Sequence, residues 1–183
     1  MTSINRPRLA HVGIFVRDLA KLEKFYTSVF DLVVTDRGVG PNFGHMLIFL
    51  SGNHEQHHQL VLSGGRGEDT PSTVMQLSFK LTSLDELRGV RDRAIKAGAT
   101  NFLPLNHGNA WSVYFDDPEG NRIEIYLDTP FHTPQPCGDR LDLGQSDEAI
   151  FAATKALIER LPGGMARADY VGQMQARMAK ADG

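Results

Sequence analysis

This 183-residue sequence has one cysteine, one tryptophan, no basic tract and no long apolar run. With Cys137 alone, no disulfide can close within the chain and no thiolate cluster can form, so any bound metal must take nitrogen and oxygen ligands. Every apolar stretch is shorter than the roughly 20 residues that span a bilayer. The opening MTSINRPRLAH lacks the apolar run of a secretory signal, and a cytoplasmic protein is expected. The 19 Lys and Arg against 22 Asp and Glu leave a net charge of −3 with no basic stripe. That removes the electrostatic footprint of a nucleic-acid or anionic-membrane binder. The expected partner is a small-molecule substrate. With 41% hydrophobic residues, there is enough apolar material for one substantial core or two small modules.

What the sequence does contain is a repeat. His11 and Gln76 lie 65 residues apart (76 − 11), as do Gln59 and Glu124 (124 − 59) and Asp18 and Ser83 (83 − 18). The period is too long for a solenoid and indicates two larger tandem modules around one interior. Residues 9–16 are rich in β-branched and aromatic side chains and read as a strand. Asp18 then caps a helix in which Leu19, Leu22, Phe25, Tyr26, Val29 and Phe30 recur at helical spacing. Strands follow near 32–36, 45–50 and 57–62. The second half repeats the order, with a strand over 74–81 and a helix that opens on the capping-box pattern Ser83-Leu84-Asp85-Glu86 and closes at Gly98. Strands near 101–105, 110–115 and 122–127 complete it, the last two joined by the turn sequence DDPEG.

This gives a first β-α-β-β-β module in residues 1–64, an exposed linker without chemistry in 65–73 and a second module in 74–130. In the remainder, 131–183, the prolines of TPFHTPQP forbid regular structure. A helical hairpin follows, with Ile150, Thr154, Leu157, Ile158 and Leu161 on one helix and Tyr170, Met174 and Met178 on the other. It can dock on its own sheet, close the mouth of a site or join two copies into a homodimer. The expected class is α+β, two βαβββ modules curving around a central cavity with a C-terminal helical extension.

Strand alternation sends residues 11, 13 and 15 to one side, with 76, 78 and 80 as their equivalents. Gln59 and Glu124, read as mid-strand residues, face the same cavity. One imidazole, one carboxylate and two amide oxygens make a hard site suited to Fe(II), Mn(II), Ni(II) or Zn(II). A single histidine on an apolar strand is more often a hydrogen-bonded core residue. Glu124 within IEIY favours the ligand set, because a mid-strand carboxylate is costly to bury without a cation or water. In NHEQHH, His57 and His58 lead into Gln59, so at least one imidazole is expected near the metal, where it can accept or return a proton. His107, Asn109 and Tyr114 are placed to hydrogen-bond a substrate, while Trp111 and Phe115 read as core or pocket wall.

LAHVGIFVRDLAKLEKFYTSVFDLVV, HHQLVL and NAWSVYFDDPEGNRIEIYLD together resemble the vicinal oxygen chelate superfamily, and within it the type I extradiol ring-cleavage dioxygenases. The resemblance covers residues 9 to about 136. It implies a facial triad holding Fe(II), carried over to His11, Gln76 and Glu124, with glutamine standing where that pattern has histidine. It also implies an acid/base at His58 and substrate contacts from His107 and Tyr114. Glyoxalases and epimerases of the superfamily use all four symmetric positions, here His11, Gln59, Gln76 and Glu124, in metal-dependent lyase or isomerase chemistry through an enediolate. Its drug-sequestering members bind a small molecule without catalysis.

Overall fold

The computed structural model describes residues 6–42 and 44–181. β1 (Val12–Val16) leads into helix α1 (Leu19–Phe30), then β2 (Val33–Val39), β3 (Met46–Ser51) and β4 (Leu60–Gly64). β5 (Leu77–Lys80), α2 (Leu84–Lys96), β6 (Thr100–Asn106), β7 (Ala110–Asp116) and β8 (Arg122–Asp128) repeat the order. The extension holds the two-residue strands β9 (Phe131–His132) and β10 (Asp139–Arg140), helix α3 (Asp147–Arg160), β11 (Met165–Ala166) and helix α4 (Arg167–Ala181). The proline-rich exit is therefore not wholly irregular, because β9 pairs with β11 and β10 adds to β6.

Local chemistry sets the helix ends. The Asp18 carboxylate accepts from Lys21 N at 2.9 Å and Ser83 Oγ from Glu86 N at 3.1 Å, each satisfying a free N–H of a first turn. Glu86 does not complete the reciprocal box. Its carboxylate takes the N–H and hydroxyl of Thr82 instead, one residue before the cap. Gly98, at φ +88°, ends the α2 turn in a conformation that other residues rarely adopt.

The strands form two sheets, β1-β4-β3-β2 and β10-β6-β7-β8-β5, in which β1 and β5 are edges that run parallel to β4 and β8. The repeat is inexact in register. Paired residues are 48 apart in β1/β4 (60 − 12) and 46 apart in β5/β8 (123 − 77). A two-residue slip keeps every side chain on its face, since strand side chains alternate with a period of two.

The modules share one core. Phe30 of α1 stacks on Phe79 of β5 with ring centroids 3.9 Å apart. Tyr26, fully buried, donates to Asp117 Oδ2 at 2.9 Å in the β7–β8 turn. Burial first, then the Asp117 charge, raises the Tyr26 pKa well above its ordinary value. Because the folded pKa is raised, this stability is present below about pH 10 and is lost as pH climbs past it. Tyr26→Phe is expected to cost about 1–3 kcal/mol in urea unfolding at neutral pH and to flatten the alkaline fall in stability. An unchanged urea midpoint would contradict this.

Residues 65–73 do more than link the halves. Arg66 is buried, and its guanidinium reaches Asn121 Oδ1, the Glu119 carbonyl and the Glu119 carboxylate, each at 2.8 Å. Gly65, residues 67–71 and Thr73 are exposed, as expected of a spacer, and Arg66 is the buried exception. In the extension, Ile150, Thr154, Leu157 and Ile158 of α3 are buried, whereas α4 buries no side chain. No helix among the described residues is long and apolar enough to cross a membrane.

Candidate functional site

On β1 and β4, Ile14, Val16, Leu60 and Leu62 turn into the core, which leaves His11, Gly13, Phe15 and Gln59 on the opposite side. On β5 and β8, Leu77, Ile123 and Ile125 do the same, leaving Ser78 and Glu124, with Gln76 just before β5, facing away from the core. The site candidates therefore share faces as the alternation predicts.

Glu124 is only 8% exposed, yet its carboxylate is fully engaged. Oε2 accepts from Ser78 Oγ at 2.6 Å and Gln76 Nε2 at 3.0 Å, and Oε1 accepts from Ser112 Oγ at 2.9 Å. Neutral donors thus hold the charge that burial would otherwise penalise. Tyr114 pairs with Glu124 across the β7/β8 ladder. Burial raises the pKa of its phenol, and the hydrogen bond and charge of Glu124 push it further up, against the Arg122 guanidinium 5.6 Å from the ring centroid. The Tyr114 hydroxyl also lies 3.1 Å from His107 Nε2.

A second group lies at the start of β1 and β4. The rings of His11 and His58 are 4.4 Å apart, and His57 Nδ1 lies 3.0 Å from His58 Nδ1, so one of those two nitrogens carries a proton. His58 precedes β4 and escapes strict alternation, which brings it beside His11. Desolvation, then the neighbouring His11 and His57, hold its pKa below the ordinary imidazole value.

The structure brings Gln76 to Glu124, His11 to His58 and His107 to Tyr114. No hydrogen bond joins His11 to Gln76 or Glu124. Among the described residues, no three His, Cys, Asp or Glu side chains surround one point. Gln59 lies just before β4 rather than within it, and its Oε1, the atom that would coordinate, accepts from Gly52 N at 3.0 Å. Asn109 Oδ1 takes a 3.3 Å contact from Gln135, and Trp111 and Phe115 are core. Sequence reasoning missed Ser78 and Ser112 as partners of Glu124. Both follow from alternation, two residues from Gln76 and Tyr114 respectively.

By donor type these residues suit a divalent cation, which would take the place of a hydrogen bond at Glu124 and need His11 drawn to Gln76 and Glu124. Glu124 offers a carboxylate oxygen, His11 an exposed imidazole, and Gln76, whose Nε2 is turned to Ser78 and Glu124, its Oε1. The set is hard and carries one negative charge.

A family model described as Glyoxalase/Bleomycin resistance protein/Dioxygenase superfamily matches residues 8–125. The chain belongs to this superfamily. Biphenyl-2,3-diol 1,2-dioxygenase 3 of Rhodococcus globerulus is 30% identical over 143 residues, covering 73% of this chain and 69% of the relative. Biphenyl-2,3-diol 1,2-dioxygenase 2 of the same organism is 29% identical, covering 70% of this chain and 66% of the relative. A glyoxylase/bleomycin resistance protein/dioxygenase domain from Frankia sp. EAN1pec superposes with TM-score 0.55 at 27% identity, over 68% of this chain and all of that one. The fosfomycin resistance protein FosX from Mesorhizobium loti, 22% identical with TM-score 0.53 over 68% of this chain and 94% of its own, shares the fold. The βαβββ superfamily architecture is thus the fold of this chain.

Proposed function

We propose that this chain is a metal-dependent, dioxygenase-like enzyme acting on a small catechol-type or other vicinal-oxygen aromatic substrate. His11, Gln76 and Glu124 hold the cation, Fe(II) before Mn(II), Ni(II) or Zn(II). The observation that carries this reading is the buried Glu124 carboxylate bonded to Gln76, on the face where Tyr114 and His107 present their polar ends. The 30% identity to a biphenyl-2,3-diol dioxygenase supports the substrate class.

When bound, the cation supplies Lewis acidity that lowers the pKa of a ligated substrate hydroxyl. His58, whose pKa desolvation and the neighbouring histidines lower, accepts the proton released there. Tyr114 and His107 orient the second oxygen. Trp111 and Phe115 alternate with Tyr114 along β7 and are buried in the core.

Oxygen consumption by Fe(II)-reconstituted protein against a panel of catechols tests the proposal. His58→Gln is expected to lower kcat by about 10²- to 10⁴-fold while leaving bound metal unchanged. Since the shift is downward, the acid limb of the wild-type rate profile should fall below pH 6.5. A limb above that value would remove His58 as the base. The amide at position 76 favours a second reading, a metal-dependent lyase or isomerase acting through an enediolate. Metal bound without oxygen uptake would point there, and no metal at all would point to a non-catalytic small-molecule-binding protein.

A further inference from the structure

We propose that residues 133–137 form a clamp that fixes the tautomer of His107, with Gln135 as the positioning residue. The inference rests on the reading of His107 and Tyr114 as substrate-contacting groups. The clamp itself lies beyond residues 8–125, the range that the family model matches.

His107 Nδ1 lies 2.5 Å from the Cys137 carbonyl oxygen. A carbonyl oxygen can only accept, so Nδ1 carries the proton. In the neutral ring, Nε2 is then an acceptor, directed at the Tyr114 hydroxyl 3.1 Å away. The phenolic hydrogen thus has two acceptors within reach, His107 Nε2 and the Glu124 carboxylate. The opposite tautomer would set a bare Nδ1 against the carbonyl and turn an N–H on Tyr114. The identity of the backbone atom behind His107 therefore decides whether the imidazole accepts or donates inside the site.

Gln135 anchors the residue that carries that carbonyl, through the Cys137 N–H. Its Nε2 donates to the His107 carbonyl at 2.9 Å, with longer contacts to Asn109 Oδ1 and the Thr133 carbonyl at 3.3 Å, while its Oε1 accepts from Cys137 N at 2.9 Å. One exposed side chain thus ties the His107 carbonyl and Asn109 to Cys137 of the strap. The loop is pressed onto the strap as well. Gly108 sits at φ +75°, and a Cβ there would lie 2.7 Å from Thr133 Cγ2 and 2.9 Å from Ile158 Cδ1. Asn106 Oδ1 and Thr129 Oγ1 bond the Gly108 backbone, and Asn106 Nδ2 in turn bonds Thr154 of α3. The C-terminal extension thereby gains a function as backing for the His107 loop.

The test is nitrogen-15 NMR of the His107 imidazole in wild type, Gln135→Ala and Gln135→Glu, alongside steady-state kinetics with catechol. Gln135 is exposed, so neither variant should unfold the protein. Wild type is expected to show the Nδ1–H form. Gln135→Ala should admit the Nε2–H form and raise KM several-fold with kcat less affected. Gln135→Glu, which keeps the acceptor but loses every donor to the loop, should behave like Gln135→Ala. An Nε2–H tautomer in wild type, or tautomer populations unaltered in Gln135→Ala, would overturn the clamp. The NMR readout stands even if no catechol is turned over, so failure of the dioxygenase reading is distinguishable from failure of the clamp.

Discussion

Glu124→Ala is expected to abolish metal retention and to cut turnover by about 10³-fold or more, the scale of loss when one member of a cooperating catalytic set is removed. Glu124 supplies the only carboxylate among the three proposed ligands, and both of its oxygens are positioned by Gln76, Ser78 and Ser112. Removing it also leaves those donors without their acceptor, at about 1–3 kcal/mol for each buried group left unsatisfied. Glu124→Gln separates the two effects, because it keeps the volume and one acceptor oxygen while removing the charge. Metal content by elemental analysis should fall in both variants, whereas the urea midpoint should fall mainly in the alanine variant. Retained metal and turnover in Glu124→Gln would reduce Glu124 to a structural carboxylate held by serines.

Glu119→Ala should produce the largest loss of stability. The Arg66–Glu119 pair is closed off from solvent, with side chains 4% and 5% exposed. Glu119 also accepts the backbone N–H groups of Arg17 and Asp18, where β1 passes into α1. Truncating it leaves the Arg66 charge without its carboxylate, with only the neutral oxygens of Asn121 and the Glu119 carbonyl, and releases the Arg17 and Asp18 N–H groups just before the first helix. Breaking a buried pair from one side costs about 3–5 kcal/mol, and at about 2–4 °C per kcal/mol for a chain of this size the melting temperature should drop by several degrees at least. The paired replacement Arg66→Met with Glu119→Leu should recover part of that loss. A drop in Glu119→Ala no larger than that of an exposed-site substitution would show that the Arg66–Glu119 pair does not hold the modules together and that contacts such as Phe30–Phe79 and Tyr26–Asp117 do.

What could be read from the sequence was what is local or periodic. Asp18, Ser83 and Gly98 mark helix ends because capping and positive φ depend on a few neighbouring residues. The faces of His11, Gln76 and Glu124 followed from strand alternation, which survives the two-residue register slip. What stayed hidden depends on distant pairing. Nothing in SGGRGEDTPS shows that Arg66 will meet a turn 53 residues later. Gln59 satisfies the repeat by number, but a free N–H at Gly52 captures its oxygen. Gln135 sits in a proline-rich stretch whose backbone was expected to be irregular, and its value comes from carbonyls in the 107–109 loop.

The most direct test of the central claim is a turnover under isotopically labelled dioxygen, with Fe(II)-loaded protein and biphenyl-2,3-diol, the diol named for the Rhodococcus globerulus relatives. If the chain is a ring-cleaving dioxygenase, mass spectrometry will find both labelled oxygen atoms in an opened-ring product, and the signal will vanish in Glu124→Gln. Fully bound iron with the diol returned intact and unlabelled would contradict the account.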